Sequence, residues 1–508
     1  MIDKIINFMR GRSASYLLGA AALAYYSCFL FQELWLGRDP AIYFLLGRSL
    51  AQGAGYVDLF RVPIAPHTYY PPGYPFILSL VMRLCGEKLV YLRIASLLLT
   101  GISLAVLIRL LSAYLSPKRV SLIVAVFAFN PLLLNFTHTI NSEVPYFLFS
   151  WLALSFFIKK DESRSWSKVI AGALFAVVTF YMRSVGFALC ASITLYLVLK
   201  RKYLQAVVAS SIMFLSALPW LLCIFKNTDG TYLQTIMHKD YYAASLGTMR
   251  VWDVPLRFMS NGKYYIGKVT SDLVLFPFLY GVTFGNAFFL SKILLSASFS
   301  FLFLRGFFVS LRRGLRIIEL YITLYVAVLF LHSFHSERFL LPLYPFLIGY
   351  SIIGLRAASS RLSNAAVCVG ICGWLLVSNV AAVERYYSRL NSNAVSFQAA
   401  CAWMKNAIPN DAQVMAIDFA GVYLYAHRMT LGWGLVPDNA PASFEALREK
   451  KVGYLVIEKD AGLTLRGRKV SEFERYIRPI EKQYPGTLKL VYEGKYEPCI
   501  LIYKVNMP

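Results

Sequence analysis

The chain has 508 residues, 58% of them hydrophobic, 16% aromatic and only 15% charged, with a mean hydropathy of +0.55. A soluble protein carries closer to a quarter charged residues, so this composition excludes an ordinary water-soluble globule and predicts a polytopic α-helical membrane protein. The net charge of +24 does not mark a nucleic-acid binder, because Lys and Arg fall in short clusters between apolar runs, where they fix topology.

The N-terminus carries basic residues ahead of an apolar run, as a signal peptide does, but the run exceeds about 20 residues without a convincing cleavage site and reads as a retained span. Apolar windows place spans near 14–35, 89–113, 119–135, 144–159, 168–182, 184–199, 204–225, 288–310, 316–332, 338–355 and 365–383, roughly 11 in all. With alternating spans, the clusters Lys4/Arg10/Arg12, Lys118/Arg119, Lys159/Lys160, Lys200/Arg201/Lys202, Arg312/Arg313/Arg316 and Arg356/Arg361 share one side, the cytoplasm by the positive-inside rule. The other side receives a first outer loop at 37–75, a segment around Glu143, a long loop at 226–272, the HSFHSER segment at 332–338 and the C-terminus. The apolar pieces at 76–85 and 273–287 are too short or interrupted for spans and read as interfacial.

Composition shifts at about 385, dividing the chain into a transmembrane part, 1–384, and a soluble extracytoplasmic α/β domain, 385–508. There AQVMAIDF, VGYLVIEK, LKLVYEG and CILIYKV have strand character, and 394–407, 441–450 and 470–483 have helix character. Cys401 and Cys499 share this domain, which permits a disulfide without requiring one.

Asp39 precedes Pro40 and an amphipathic run, and two readings stand: an N-cap for the following helix, or a base at the outer membrane face. The stretch from His67 to Pro75 holds three prolines and three tyrosines, Tyr69, Tyr70 and Tyr74, either as a turn back to the membrane or as walls for a sugar or headgroup. Glu143 opens the fourth span, as a first-turn acid complementing the helix dipole or as a second site carboxylate. Arg183 and Arg338 lie at outer ends of spans, where topology does not call for arginine; each suits a phosphate, against snorkelling with Glu337 as partner. His332 and His335 lack a second cluster of metal-ligand spacing, so they make a weak zinc candidate. There is no Walker-A, GxGxxG or GxSxG pattern, consistent with a substrate that arrives by the membrane.

Together, the acid in the first outer loop, the PPGYP segment, the acid at the second outer loop, the His335-Ser336-Glu337-Arg338-Phe339 motif with the following LPLYP, and a terminal α/β domain resemble the GT-C superfamily of integral membrane glycosyltransferases. The HSERF motif is similar to that of lipid-linked mannosyltransferases, and the overall plan is closer to bacterial aminoarabinose and protein mannosyltransferase-like enzymes. The resemblance implies an inverting glycosyltransferase moving a hexosyl or pentosyl group from a polyprenyl-phosphate donor to a lipid, glycan or protein acceptor on the outer face of a bacterial inner membrane. Asp39 and Glu143 are then the candidate catalytic residues, with Arg338, Arg183, His335, Glu337, His67, Tyr69, Tyr70 and Tyr74 binding substrate. A single acid at Asp39, where many relatives carry an adjacent pair, argues for a site without metal or other cofactor. The alternative from another class is a lipid or glycolipid transporter, which would place ionisable groups at mid-membrane in repeated, broken helices.

Overall fold

The computed structural model describes residues 11–32, 35–61, 64–158, 165–227, 236–239, 247–266, 286–358, 373, 394–459, 462–465 and 468–507. The expected span at 365–383 apart from residue 373, the piece at 273–285, and residues 228–235, 240–246 and 267–272 of the long loop lie outside the described residues. The α-helices of the first part among the described residues are α1 Arg12–Ser27, α2 Asp39–Ala51, α3 Gly73–Cys85, α4 Leu89–Ser112, α5 Pro117–Ala128, α6 Pro131–His138, α7 Glu143–Ser155, α8 Trp166–Met182, α9 Phe187–Leu199, α10 Tyr203–Lys226, α11 Asp253–Tyr264, α12 Asn286–Arg312, α13 Ile317–Leu331 and α14 Tyr344–Ala358.

Among the described residues two helices, α4 and α10, are each long and apolar enough to cross a membrane alone, and α5 with α6 forms a third, bent by 60°. The apolar helices α3, α8, α9 and α13 are shorter. Roughly 11 spans were expected because hydropathy windows count apolar residues and overlook the prolines and turns that divide them. The expected span at 119–135 illustrates this. Pro131 cannot donate a backbone hydrogen bond, and the Asn130 side chain accepts from Leu132 N at 2.9 Å, so a new helix is capped where the old one stops. The piece at 76–85 is part of a regular helix, α3, which begins at the Pro71-Pro72-Gly73 corner.

Two close approaches fix that corner. A Cβ on Gly47 would stand 2.9 Å from Leu78 Cβ, so α2 and α3 cross tightly there, and one on Gly73 would stand 2.6 Å from the Tyr181 carbonyl oxygen. The second contact seats the start of α3 against the end of α8, immediately before Arg183.

The C-terminal domain begins, within the described residues, with a helix over 394–407, α15. It continues with β1 Val414–Ala416, α16 Phe419–Ala426, β2 Thr430–Leu431, α17 Ala440–Glu449, β3 Tyr454–Glu458, β4 Gly462–Leu465, β5 Arg468–Ser471, α18 Glu472–Gln483, β6 Leu488–Glu493 and β7 Ile500–Val505. Five strands form one sheet in the order β2-β1-β3-β7-β6, with β1 parallel to β2 and β3 and the β3/β7 and β7/β6 pairs antiparallel. All four expected strands are present, and α16, β2 and the β4/β5 hairpin are additional. Alternate side chains of β7 feed two cores, Leu501 and Tyr503 on one face and Ile500 and Ile502 on the other, so both faces are covered. Cys401 and Cys499 are free thiols.

The domain is fastened to residues 35–60, on either side of α2. Leu36 N donates to Tyr425 Oη at 2.9 Å, Arg38 N to Asp418 Oδ1 at 2.8 Å, and Thr430 N to the Phe60 carbonyl at 3.2 Å. Trp35 packs against Phe397 with ring centroids 4.7 Å apart.

Candidate active site

Asp39 is the first residue of α2, not its cap; the cap position belongs to Arg38, which has a left-handed φ of 51°. Both Asp39 oxygens turn away from the helix amides. Oδ1 accepts from Tyr70 Oη at 2.6 Å, and Oδ2 is paired with Arg338 Nη1 at 2.7 Å. The N-cap reading is therefore overturned: Arg338 and Tyr70 draw the carboxylate out of the position a cap requires. Burial by itself would raise the Asp39 carboxyl, but the Arg338 guanidinium and the Tyr70 hydroxyl outweigh it and hold the group below the usual carboxylate range.

Tyr70 is in turn held by the loop. Its backbone N–H donates to His67 Nε2 at 2.9 Å, and its carbonyl accepts from Tyr56 Oη at 2.8 Å. Because Nε2 accepts an amide proton, the ring proton sits on Nδ1, which donates to Asp58 Oδ1 at 2.6 Å. Asp58 and His67 are buried, and Arg61 Nε covers the other Asp58 oxygen at 3.1 Å. His67 thus orients the tyrosine that orients Asp39. Asp58, which sequence reasoning did not select, is the base of this chain; an acid nine residues before a histidine carries no local signal of the pairing.

Glu143 is the first residue of α7 and is 2% exposed. Its Oε1 lies 2.5 Å from Arg183 Nη1 and 3.7 Å from Arg338 Nε. The two carboxylates expected at one face thus belong to one ionic cluster, bridged by Arg338. Ser142 joins it, its Oγ lying 2.9 Å from Tyr43 Oη and 3.3 Å from Arg183 Nη1. Snorkelling arginines with Glu337 as partner are not what the structure has. Glu337 accepts instead from Tyr264 Oη at 2.7 Å, and the His335 ring lies 3.8 Å from that tyrosine's ring. His332 Nδ1 is satisfied by the Phe334 backbone, and among the described residues no group of three His, Cys, Asp or Glu is arranged to hold a metal.

A cavity of about 1120 Å³ opens in front of this cluster. From the helical part it is lined by Asp39, His67, Tyr69, Tyr70, Arg183, Glu337 and Arg338, and from the α/β domain by Asp418, Phe419, Trp433, Glu472 and Tyr476. Tyr74 is not a wall; it is 2% exposed and packs edge-on behind Tyr43, because α3 turns it inward. Glu143 and His335 also stand behind the lining.

A helical bundle followed by a C-terminal α/β domain is the fold of the GT-C superfamily of integral membrane glycosyltransferases, which this chain resembles. Residues 69–227, less than half of the chain, match the family described as dolichyl-phosphate-mannose-protein mannosyltransferase. Among solved structures, ArnT from Cupriavidus metallidurans bound to undecaprenyl phosphate is similar over 96% of this chain and 97% of its own, with 13% identity and a TM-score of 0.55. The apo form of that protein gives 12% identity and a TM-score of 0.55 over the same shares, 96% and 97%. An oligosaccharyltransferase from Archaeoglobus fulgidus, solved tethered to an acceptor peptide containing the NVT sequon, is similar over 88% of this chain and 69% of its own, with 12% identity and a TM-score of 0.50. No curated protein sequence matches the chain.

Proposed function

We propose that this chain is an inverting glycosyltransferase that moves a hexosyl or pentosyl group from a polyprenyl-phosphate donor to an acceptor on the extracytoplasmic face, with its N-terminus in the cytoplasm. The observation that carries the reading is the pairing of Asp39 with Arg338 at 2.7 Å on the wall of the cavity between the two parts of the chain. An acid suited to proton abstraction and a guanidinium suited to a phosphate stand side by side, and Arg183 adds a second cation to the same wall. The similarity to a protein solved with undecaprenyl phosphate supports the same donor class here.

The chemistry follows from these groups. Asp39 takes the proton from the acceptor hydroxyl or amine as that atom bonds to the anomeric carbon. The bond from that carbon to the phosphate oxygen breaks on the opposite side, and its electron pair leaves with the polyprenyl phosphate, whose charge Arg338 and Arg183 neutralise. Arg338 serves both partners in turn. While it is paired with Asp39 the carboxylate is a weak base, and a donor phosphate that recruits the guanidinium leaves Asp39 more basic in the same step. Glu143, behind the lining, holds Arg183 and Arg338 in place rather than meeting substrate. A divalent metal fits this donor set poorly, since Asp39 is engaged by Tyr70 and Arg338 and Glu143 by the arginines. A transporter is disfavoured because the ionisable cluster sits at helix ends, at the starts of α2 and α7, the end of α8 and the turn before α14.

The test is transfer of labelled sugar from synthetic polyprenyl-phosphate sugars by the purified protein in detergent, beside Asp39→Asn and with chelator. Wild-type transfer that falls about a hundredfold to ten-thousandfold in Asp39→Asn, with donor binding retained, is the expected result. Equal turnover by both proteins would remove Asp39 from the chemistry. Absence of donor binding would move the transporter reading to the front, and inhibition by chelator would restore a metal.

A further inference from the structure

Arg338 stands in the single turn Glu337–Leu340, reached from the end of α13 through the segment 332–337. Much of what holds that segment comes from α11, which belongs to the long loop at 226–272. Arg257, Asn261 and Tyr264 recur at i, i+4 and i+7, along one face of that helix.

The last carbonyls of a helix have no amide further along the helix to accept from. At the end of α13 they are met by side chains of α11. Asn261 is buried, and its Nδ2 donates to the carbonyls of Phe330 at 3.0 Å, His332 at 2.9 Å and Leu329 at 3.3 Å. Arg257 Nη1 donates to the Leu331 carbonyl at 3.3 Å, and its charge complements the negative end of the helix dipole. Gly262 permits the approach, since a Cβ there would stand 3.3 Å from the Phe330 ring.

One turn on, the same face reaches the residues just before Arg338. Ser336 N donates to Tyr265 Oη at 3.3 Å, Tyr264 Oη donates to Glu337 Oε1 at 2.7 Å, and the Tyr264 ring lies 3.8 Å from that of His335. Both ends of the segment that presents Arg338 are thus tied to α11. Leu329, His332, Ser336 and Glu337 also line the Asp39 cavity, so α11 supports that wall. The Tyr264 bond has a further effect. A carboxylate adjacent in sequence to an arginine competes for it, and Tyr264 engages Glu337 while Arg338 pairs with Asp39 at 2.7 Å.

We propose that α11 sets the position of Arg338, with Asn261 and Tyr264 as positioning residues: Asn261 fixes where the chain leaves α13, and Tyr264 draws Glu337 aside so that the guanidinium faces Asp39 and the donor phosphate. Their role rests on the assignment of Arg338 to that phosphate.

The test uses the full-length protein in detergent and reads the Kd for undecaprenyl phosphate beside kcat/KM for transfer of labelled sugar. Asn261→Ala deletes the capping amide, and Tyr264→Phe keeps the ring but deletes the hydroxyl that donates to Glu337. In the otherwise wild-type protein each is expected to raise Kd and lower kcat/KM about tenfold. In an Arg338→Lys background the same changes are expected to matter by no more than about twofold, because the residue through which they act is already altered. Met259→Ala, on the same helix but 71% exposed, is expected to leave both values unchanged. Should Asn261→Ala lower the Tm, Tyr264→Phe decides. Equal losses in the two backgrounds would make α11 a structural support only, and unchanged values in Tyr264→Phe and Asn261→Ala would deny it a role; either overturns the proposal. Coupled losses of undecaprenyl phosphate binding without transfer by any of the proteins would uphold the role of α11 and fail the glycosyltransferase reading instead.

Discussion

Tyr70 adds to the acidity that Arg338 imposes on Asp39, through one hydrogen bond of 2.6 Å. The hydroxyl donates to the carboxylate and so favours its charged form. Tyr70→Phe deletes that donor and raises the Asp39 pKa, so the acid limb of the kcat/KM profile is expected to move to higher pH, measurable by assaying transfer between pH 4 and 8. An unshifted limb would mean that another group sets it. Arg338→Lys keeps a positive charge but gives up the planar fork that reaches Asp39 with Nη1 and Glu143 with Nε. We expect donor KM to rise and kcat to fall together, because in the proposed mechanism the same side chain positions the base and receives the leaving phosphate; initial-rate kinetics check this. His67→Asn offers Tyr70 N–H a less well-placed acceptor, and its expected signature is a lower kcat with little change in KM.

Elements explain which parts of the site were legible beforehand. The PPGYP corner was recognisable because proline fixes φ and tyrosine favours the headgroup layer, yet only the packing distinguishes Tyr70, which faces Asp39, from Tyr74, which α3 carries inward. Asp39, Glu143 and Arg338 stood out as charges at membrane boundaries, whereas the pairing of Arg338 with Asp39 rather than Glu337 depends on contacts 299 residues apart, to which local spacing is blind. The break within the expected span at 119–135 was hidden for a different reason. A hydropathy window cannot see Asn130 capping a new helix at Pro131. Strands β1, β3 and β7 of the α/β domain were readable because continuous apolar runs mark strands covered on both faces, whereas β6 is a half-exposed edge. Gly73 tests the element scale directly: a methyl group there would enter the Tyr181 carbonyl, so Gly73→Ala is expected to cost about 1–3 kcal/mol or displace the corner, read as a lower Tm together with lost transfer.

For the whole molecule, the contact between its two parts runs through Asp418, which caps α16 by accepting from Gly421 N at 3.0 Å and also receives Arg38 N at 2.8 Å. Burial pushes its carboxyl up to about 6, against the downward pull of the two amides. The folded protein then keeps a proton that the unfolded chain releases above its ordinary pKa of 3.8. This contribution to stability is full below about pH 4 and is lost as pH rises through 6, by on the order of 3 kcal/mol. Asp418→Asn, which still accepts both amides, is expected to flatten the fall in Tm between pH 4.5 and 7 and to be the more stable protein at pH 7.5. Because the Arg38 amide is one peptide away from Asp39, the same variant reports whether the α/β domain sets the position of the acid. The separation between Asp39 and Arg338 also has a meaning in time. At a synthesis rate of about 5–20 residues per second, the acid emerges roughly 15–60 s before its arginine, so the site cannot exist on a nascent chain until the α13–α14 turn has been inserted. A ribosome-arrested chain ending before that turn would carry Asp39 without its counter-ion, and catalysis becomes a late checkpoint on completed biogenesis.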